Sequence, residues 1–339
     1  MPGMLRGRRA LLLVQLPLGL LSVAVLVWRV DLVEAVRGLP EIDYRWALPG
    51  LLMFTISKFI HSYRWRLFLW RHEGLPLRQL FAIFLTSNLA NALIPLRAGD
   101  LVRVELPRRR FGIPRAELTS SVFVVETLLD GVAFVLLMFA GLVLLDVPPV
   151  FPSLLAGMAV LVAVAFAGTV ALARVDGERD FSTLPLLRWL PARLRVPVAA
   201  RIPEFLDGLA SLRDVRMATR AVGISLVAWL AEVVVYWMMG QAFGLDLSAA
   251  AYLPIMIGAN LIVSLPITPW DFGPYEVAVT EVTAAAGATR AAASAFALGS
   301  HLLLVVWMAI TGVAAMWTLD LRPHDLVTPG DGEATDATD

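Results

Sequence analysis

The sequence lacks cysteine and contains a single lysine, Lys58, among its 28 basic residues. The absence of cysteine excludes disulfides, thiolate metal sites and cysteine nucleophiles. Lys58 lies in the glycine-free stretch 54–59, whereas a Walker A loop needs a lysine directly after a glycine-rich turn. The sequence therefore argues against ATP hydrolysis by this chain.

Charge is also scarce, because 17% of the 339 residues are charged, against about 25% in an ordinary soluble domain. Hydrophobic residues make up 58% of the chain, and the mean hydropathy is +0.74. A soluble fold cannot hide this much apolar surface from water. We therefore expect an all-α polytopic integral membrane protein.

The formal net charge is zero, which excludes a general basic attraction to nucleic acid, so no nucleic-acid partner is expected. The four histidines are scattered along the chain and form no HxxxH pair. A zinc site needs several such ligands on one face, so we expect no metal and no cofactor.

Apolar segments near the length that crosses a bilayer, about 20 residues, recur along the chain. They are 10–30, 46–61, 79–95, 118–145, 150–173, 221–243, 252–266 and 291–319, with a shorter apolar stretch at 275–286. The first follows three arginines but is too long for a signal peptide and lacks a cleavage site. We interpret it as an uncleaved helix.

Arginine counts predict the topology, because arginines in short loops stay in the cytoplasm. The loops 61–78 and 97–117 carry four and six arginines, so a crossing segment at 79–95 would place them on opposite sides. A re-entrant segment that enters from the cytoplasm and returns to it resolves the conflict. Asn88, Asn91 and Pro95 suit such a segment, since it is buried among other helices rather than facing lipid.

The same reasoning applies to 252–266, which carries Asn260 and would enter from outside and return through 275–286. The sequence therefore predicts about six full transmembrane helices and two re-entrant hairpins, with eight full spans as the alternative. We expect a multi-pass protein of the cell membrane with both termini in the cytoplasm.

The domain organisation follows from these segments. Residues 1–320 are predicted to form a single transmembrane domain, with a cytoplasmic connector at 174–220. Within the connector, 201–212 fits an amphipathic helix on the membrane surface. The acidic tail 321–339 is expected to be disordered.

The two predicted hairpins share a pattern of asparagine, then proline, then a turn that opens a new segment with an acidic residue. In the first, Pro95 precedes Asp100, and in the second, Pro266 precedes Glu276. One hairpin would enter from inside and the other from outside, as in an inverted-topology repeat with a binding site near the midplane. Similarity over so short a stretch also arises by chance, so both interpretations stay open.

The exit of the first hairpin has the chemistry of an anion site. Asp100 is a good N-cap for a helix starting at Leu101, and Gly99 permits unusual backbone angles. Arg97 and Arg103 add two positive charges beside the helix N-terminus, a combination that suits a phosphate group. The alternative is a cytoplasmic turn with snorkelling arginines.

Two carboxylates, Glu126 and Asp130, lie four residues apart and so share one face of a predicted span. Charges within a span need cations or protons, and they usually mark function. We expect them either to line a polar path or to form salt bridges with Arg97 or Arg103.

Three further polar residues lie in or beside the later spans. Glu276, which follows Gly273, and Glu232 are each either a proton carrier or a capping or pairing group. His301 is expected to make a hydrogen-bonding contact between helices. The arginine–aromatic run 64–71 is typical of an interfacial anchor.

Three motifs resemble one known family. They are SNLANALIPLRAGDLVR at 87–103, the pair Glu126 and Asp130, and SLP at 264–266 with Gly273 and Glu276. Together with YRW at 63–65, they are similar to the lysylphosphatidylglycerol synthase transmembrane (flippase-like) family, over roughly residues 10–320.

That family includes the membrane half of bacterial proteins that aminoacylate phosphatidylglycerol and move the product across the membrane. Full-length synthases carry a soluble transfer domain after the spans, whereas about 20 residues follow Leu319 here. The resemblance therefore implies a free-standing translocation half without the synthase domain. One departure is PWDFG at 269–273, where the family usually has a glycine-rich stretch, so substrate identity does not carry over.

The sequence thus predicts a flippase- or scramblase-like lipid transporter, not an enzyme, since it shows no nucleophile–base pair. The substrate would be an anionic or modified phospholipid or a polyprenyl-phosphate glycolipid. The alternative is a membrane scaffold or partner subunit of a separate lipid-modifying enzyme, and a homo-oligomer is also compatible. The predicted substrate-binding residues are Asn88, Asn91, Arg97, Gly99, Asp100, Arg103, Glu126, Asp130, Asn260, Gly273 and Glu276.

Overall fold

The computed structural model describes residues 42–93, 98–144, 150–175, 181, 189, 191–264 and 271–321. The predicted first span at 10–30, Arg97 and the tail beyond Leu321 lie outside these residues. Within the described ranges, all regular secondary structure is helical. The predicted all-α class is confirmed.

The described fold contains eleven α-helices, one π-helical segment and two 3-10 turns, Ala210–Leu212 and Ala249–Ala251. The longer helices follow the apolar segments of the sequence. In chain order, the α-helices and the π-helical segment are α1 (Tyr44–Phe68), α2 (Leu77–Leu93), α3 (Ala98–Phe111), α4 (Arg115–Ser120), the π-helical segment (Ser121–Glu126), α5 (Thr127–Leu144), α6 (Val150–Ala173), α7 (Ala192–Gly208), α8 (Val215–Ala242), α9 (Tyr252–Val263), α10 (Pro274–Ala285) and α11 (Arg290–Thr318). Most bounds agree with the predictions within a few residues, because hydropathy marks where lipid-compatible helices begin and end.

Four helical stretches are long and apolar enough to cross a membrane by length and composition. They are Arg115–Val143, Leu155–Ala173, Val215–Ala242 and Arg290–Thr318. In α6 only 6% of the most apolar stretch is buried inside the protein, as expected of a helix that faces lipid. The chain is a multi-pass membrane protein.

Helix α1 matches these stretches in length, with 25 residues, but it carries charged residues along its buried face. It packs along α8. The Asp43 N–H donates to the Ala242 carbonyl at 2.9 Å at one end, and Arg64 donates to Ser225 at 2.7 Å nearer the other. This partnership allows a helix too polar for lipid to lie within the bundle.

Two pairs of short helices, α2 with α3 and α9 with α10, pack against each other as helical hairpins. Helix α2 has 17 residues, α3 has 14, and α9 and α10 have 12 each. At 1.5 Å per residue, 12 residues reach only about 18 Å, against a hydrocarbon core of about 30 Å. Both hairpins were predicted as re-entrant. The lengths of α9 and α10 are compatible with this, whereas the 17 residues of α2 reach about 26 Å, so for the first hairpin it stays a prediction.

The order of long and short helices is repeated. Helix α1, the α2–α3 hairpin and α5 precede α8, the α9–α10 hairpin and α11. The packing is reciprocal, because α1 contacts α8, α2 contacts α11 and α9 contacts α5. A two-fold relation between the halves requires that each helix of one half contacts the counterpart of its partner in the other half. The packing therefore supports the predicted inverted repeat.

The connector helix α7 lies against α4 rather than only on a membrane surface. Leu206 and Leu209 are buried, and Gly208 approaches Ser120 so closely that a Cβ at this position would lie 1.8 Å from its Oγ. The apolar face of the amphipathic helix predicted at 201–212 therefore packs against protein.

Candidate functional site: a polar layer between the two halves

One face of α8 carries four polar side chains in the middle of an otherwise apolar bundle. Ser225, Trp229, Glu232 and Tyr236 follow the i, i+4, i+7, i+11 spacing that places residues on one helix face. They cover about 16 Å of the helix axis. All four are buried, and each contacts a different partner, so α8 forms the spine of a polar layer.

At the Ser225 end lies a cluster of two arginines and two carboxylates, the arginine cluster. Arg64 donates from Nη2 to Glu126 at 2.9 Å and from Nη1 to Asp130 and, at 2.7 Å, to Ser225. Arg103 donates from Nη2 to the other oxygen of Glu126 at 2.5 Å. The predicted salt bridge of Arg103 is thus present, with Glu126, and the two positive and two negative charges of the cluster balance.

Aromatic side chains complete this cluster. The Arg103 guanidinium lies 4.5 Å from the Trp65 ring centre and 4.6 Å from that of Phe84. Trp229 donates from Nε1 to Asp130 at 2.8 Å. Stacking on ring faces and neutralisation by carboxylates together offset the cost of removing an arginine from water.

Sequence reasoning missed Arg64. The interfacial-anchor interpretation of 64–71 is wrong for Arg64 and Trp65, since both are fully buried. The signal was available, because Ser57, His61 and Arg64 repeat at i, i+4, i+7 and so mark a polar face on α1.

The π-helical segment ends at Glu126, at the heart of the arginine cluster. Such segments are rare and often lie at functional sites, because the extra residue per turn re-aims the side chains that follow. Residues 121–126 read as an ordinary apolar helix, so the sequence gave no indication of this feature.

Glu232 organises a second group, the lysine cluster. Its Oε1 lies 2.6 Å from Nζ of Lys58 and accepts from Ser57 Oγ at 3.1 Å, while His61 Nε2 lies 3.6 Å away. Asn260 of the second hairpin donates to Oε2 at 3.3 Å. The predicted site residue Asn260 therefore joins the layer, and Glu232 acts as a pairing group.

The third group is the histidine pair, Glu276 and His301. Glu276 is fully buried, accepts from the Gly273 N–H at 2.7 Å and lies 2.6 Å from His301 Nδ1. Gly273 has a φ of 97°, a conformation that favours glycine, and it precedes Pro274 at the first position of α10. His301 makes the predicted contact between helices, and it stacks on the Tyr275 ring at 4.0 Å.

The first hairpin departs from its predicted detail. Helix α3 begins at Ala98, so Asp100 lies in its first turn and is not its N-cap. Gly99 is helical, and its role is close packing, because a Cβ there would lie 1.9 Å from the Ser87 carbonyl oxygen. Asn91 donates to Asp100 at 3.2 Å, across the two helices of the hairpin.

Several buried polar atoms near this hairpin have no hydrogen-bond partner among the described residues. They are Nδ2 of Asn88, Oδ1 of Asn91 and Nε of Arg103. All three residues were predicted to bind substrate. The arrangement therefore leaves donors and an acceptor in the region where a phosphate was expected.

Three charged side chains of the layer stay partly accessible. The side chains of Asp130, Lys58 and Glu126 are 21%, 16% and 11% exposed, whereas those of Arg64 and Glu276 are 0% exposed. These three side chains are therefore the charged groups of the layer that remain open to the surroundings of the described fold.

The fold and the site define the class of the protein. It is a multi-pass membrane protein with a charged layer between two helical halves. Residues 11–312 match the family described as the lysylphosphatidylglycerol synthase TM region, and the chain belongs to this family. The suspected resemblance is confirmed.

Among curated proteins, the chain is similar to one named "Glycosyltransferase AglD" from Haloferax volcanii, with 27% identity over 350 residues. The similarity covers 93% of this chain and 55% of that protein, so the chain spans about half the length of the relative. No solved structure matches the chain.

Proposed function

We propose that this protein moves a lipid with a polar head group between the leaflets of the cell membrane, as a flippase- or scramblase-like transporter. The observation that carries the proposal is the polar layer, in which both signs of charge lie buried at the seam of two membrane-embedded halves. Charged residues within spans are costly and generally mark a substrate or ion path. In transporters built from two repeats, such a path lies near the midplane between them.

The layer supplies the chemistry that a crossing head group needs. Each described arginine and lysine in it contacts a carboxylate, so three positive and three negative charges are paired. A phosphate can replace a carboxylate as the partner of an arginine or lysine. The free-energy cost of this exchange is lower than that of moving an unpaired phosphate into hydrocarbon. The unpartnered Nε of Arg103 and the start of α3 support a phosphate there, and Arg97 directly precedes α3 in the sequence.

The substrate class remains the one expected from the sequence, an anionic or modified phospholipid or a polyprenyl-phosphate glycolipid. The family connects the chain with lipid handling. The relative's name is that of a glycosyltransferase, which favours a sugar-bearing lipid among these candidates. We propose that the protein itself makes or breaks no covalent bond in that lipid and needs no cofactor.

The second candidate function is that of a membrane scaffold or partner subunit for a separate lipid-modifying enzyme. One observation favours it: the relative is nearly twice as long and bears an enzyme's name, whereas its similarity to this chain covers 55% of its length. A partner protein would then supply the activity.

The two candidates are separated by reconstituting the purified protein alone into liposomes that contain fluorescent lipids, with one head group per preparation. A transporter brings label to the opposite leaflet faster than in protein-free vesicles, and it prefers one head-group class. A scaffold leaves the rate at the protein-free value for every head group, and this result would exclude transport by the chain alone.

A further inference from the structure

Glu276 differs from the other buried carboxylates of the polar layer in the kind of partner it has. Glu126 and Asp130 contact arginine, and Glu232 contacts lysine. The partners of Glu276 are a backbone N–H and the imidazole of His301, whose charge depends on a proton.

The net charge of the histidine pair depends on how many protons it holds. With one shared proton the pair is neutral overall, whether the proton sits on Oε1 of Glu276 or on Nδ1 of His301. Without it the pair carries one negative charge, and with two protons it carries one positive charge. Both side chains are buried, and no described arginine or lysine contacts either of them, so the number of protons on the pair sets its net charge.

The pair also lies deep in the bundle, at the tip of the second hairpin. His301 is about 17 Å along α11 from Arg290, close to the middle of that helix. Glu276 lies in the first turn of α10, directly after two residues with positive φ, Asp271 at 54° and Gly273 at 97°.

The titratable groups nearest to the pair begin with Asp271, which lies in the turn that precedes α10. Tyr275 on its own helix contacts His301 and meets Tyr236 of α8 at 3.1 Å between hydroxyl oxygens. Glu232 lies one turn from Tyr236 and is held by Lys58. Of the other helices packed on α10 and α11, α9 has no charged residue, α2 has only Arg78, and α1 directs Lys58 and His61 to Glu232.

We propose that the Glu276–His301 pair is a proton-binding site that couples lipid movement to a proton gradient, an inference that rests on the proposed function. In one orientation the pair takes up one proton from one side, and the hairpin tip becomes neutral. In the other orientation it releases that proton to the opposite side, and the tip carries one negative charge. The charge at the tip then alternates by one unit in each cycle, beside the path of the head group.

The first test needs no transport. Infrared difference spectra between two pH values are recorded on the purified protein in nanodiscs. The wild type is expected to show coupled carboxyl and imidazole bands that vanish in both Glu276→Gln and His301→Gln. Glutamine at 276 still accepts from Gly273, so this variant keeps the helix cap while it loses the titrating carboxyl.

The matched control is Glu117→Gln, which alters a second glutamate–histidine pair, Glu117 with His72 at 2.9 Å. His72 is 29% exposed, so this pair reaches solvent outside the layer. The control is expected to keep the bands of the histidine pair. Spectra of wild type and Glu276→Gln that match would overturn the proton site.

The second test measures coupling in proteoliposomes with a pH gradient of about one unit. If one proton accompanies each lipid, labelled lipid accumulates up to about tenfold in one leaflet at steady state, and a protonophore abolishes the difference. Glu276→Gln should show no accumulation, whereas Glu117→Gln should match the wild type. Equal leaflets in the wild type despite rapid lipid exchange would overturn the coupling and leave the proposed function standing. If no lipid moves in any preparation, the proposed function and the coupling both fail, and the infrared result alone decides the proton site.

Discussion

Arg64 holds the arginine cluster together, because it contacts both carboxylates and Ser225 while being fully buried. An arginine cannot lose its proton in a protein. Replacing Arg64 therefore leaves Arg103 as the described cation in contact with Glu126, and it removes the described ion-pair partner of Asp130. Single substitutions in the cluster are therefore expected to lower the stability of the fold more than paired substitutions that remove a cation together with a carboxylate.

We predict that Arg64→Gln lowers the free energy of unfolding by about 3–5 kcal/mol, the usual cost of leaving a buried charge uncompensated. Arg66→Gln, two residues away on the exposed side of α1, should change it little. Adding Asp130→Asn to Arg64→Gln should recover part of the loss. Denaturant unfolding in detergent measures all three, and a stable Arg64→Gln would show that the cluster does not support the fold.

Glu105 forms a separate ionic group outside the four apolar stretches. Hydrogen bonds from Arg108 first, and then from Arg115 and Arg109, lower the pKa of Glu105 to about 2. A lowered pKa stabilises the fold above the ordinary carboxyl value, and this contribution disappears only as the pH falls toward 2.

Glu105→Gln should therefore lower the melting temperature by the same amount at about pH 5 and about pH 8, since the carboxylate is fully charged at both. The measurement is thermal unfolding of the wild type and the variant in the same detergent at the two pH values. A difference that shrinks markedly at the lower pH would contradict the lowered pKa.

Residue types and spacing foretold part of the site. Glu126, Asp130 and Glu276 stood out because a carboxylate within an apolar segment needs a partner. The partners Arg64 and Lys58 were not foreseen, because they lie on α1 and meet the carboxylates only through tertiary packing. The start of α3 was predicted three residues too late, at Leu101 instead of Ala98, so Asp100 was wrongly taken as its N-cap, since helix ends depend on contacts beyond the local sequence.

At the scale of elements, the two hairpins decide how the chain crosses the membrane. The α2–α3 hairpin is predicted to begin and end on the cytoplasmic side, which would place Arg71 and Arg109 on the same side. The chain has no native cysteine, so single cysteines report position without interference.

We predict that cysteines placed singly at Arg71 and at Arg109 react with an impermeant thiol reagent from the same side of the membrane. Membrane vesicles of both orientations provide the comparison. Labelling from opposite sides would show that α2 crosses the bilayer, and it would favour eight full spans.

Close packing within this hairpin depends on Gly99. Gly99→Ala places a Cβ against the Ser87 carbonyl, so α2 and α3 must separate, and the melting temperature is expected to fall. Gly223→Ala in α8 is the matched control, because a Cβ there meets nothing within 4 Å and alanine favours a helix. Equal melting temperatures for Gly99→Ala and the wild type would show that the hairpin packs less tightly than described.

Helix positions were largely predictable, whereas the geometry within helices was not. The limits of α6 coincide with the predicted segment 150–173, because its residues face lipid and hydropathy alone decides them. Helix α1 extends seven residues beyond its predicted end at His61, because Arg64 and Trp65 are buried by partners that hydropathy cannot show. The π-helical turn before Glu126 likewise has no sequence signal.

For the whole molecule, the reciprocal packing of the two halves places the polar layer at their seam. Lys58 and Glu232 bring together α1 and α8, the first helices of the two halves, and Asn260 adds the second hairpin. Relative movement of the halves would thus alter the contacts of the layer, which is how a repeat-based transporter gives alternating access.

The most direct test of lipid movement through the polar layer is the rate at which labelled lipid crosses liposomes containing the double variant Lys58→Met with Glu232→Gln. Replacing both members of a buried ion pair by uncharged side chains of similar size is often neutral for stability. Arg290→Gln, which removes an exposed salt bridge to Glu281, is the control. We predict that the double variant unfolds at the wild-type temperature but moves lipid no faster than protein-free vesicles, while the control keeps the wild-type rate. Wild-type lipid movement in the folded double variant would contradict a role for the charged layer in transport.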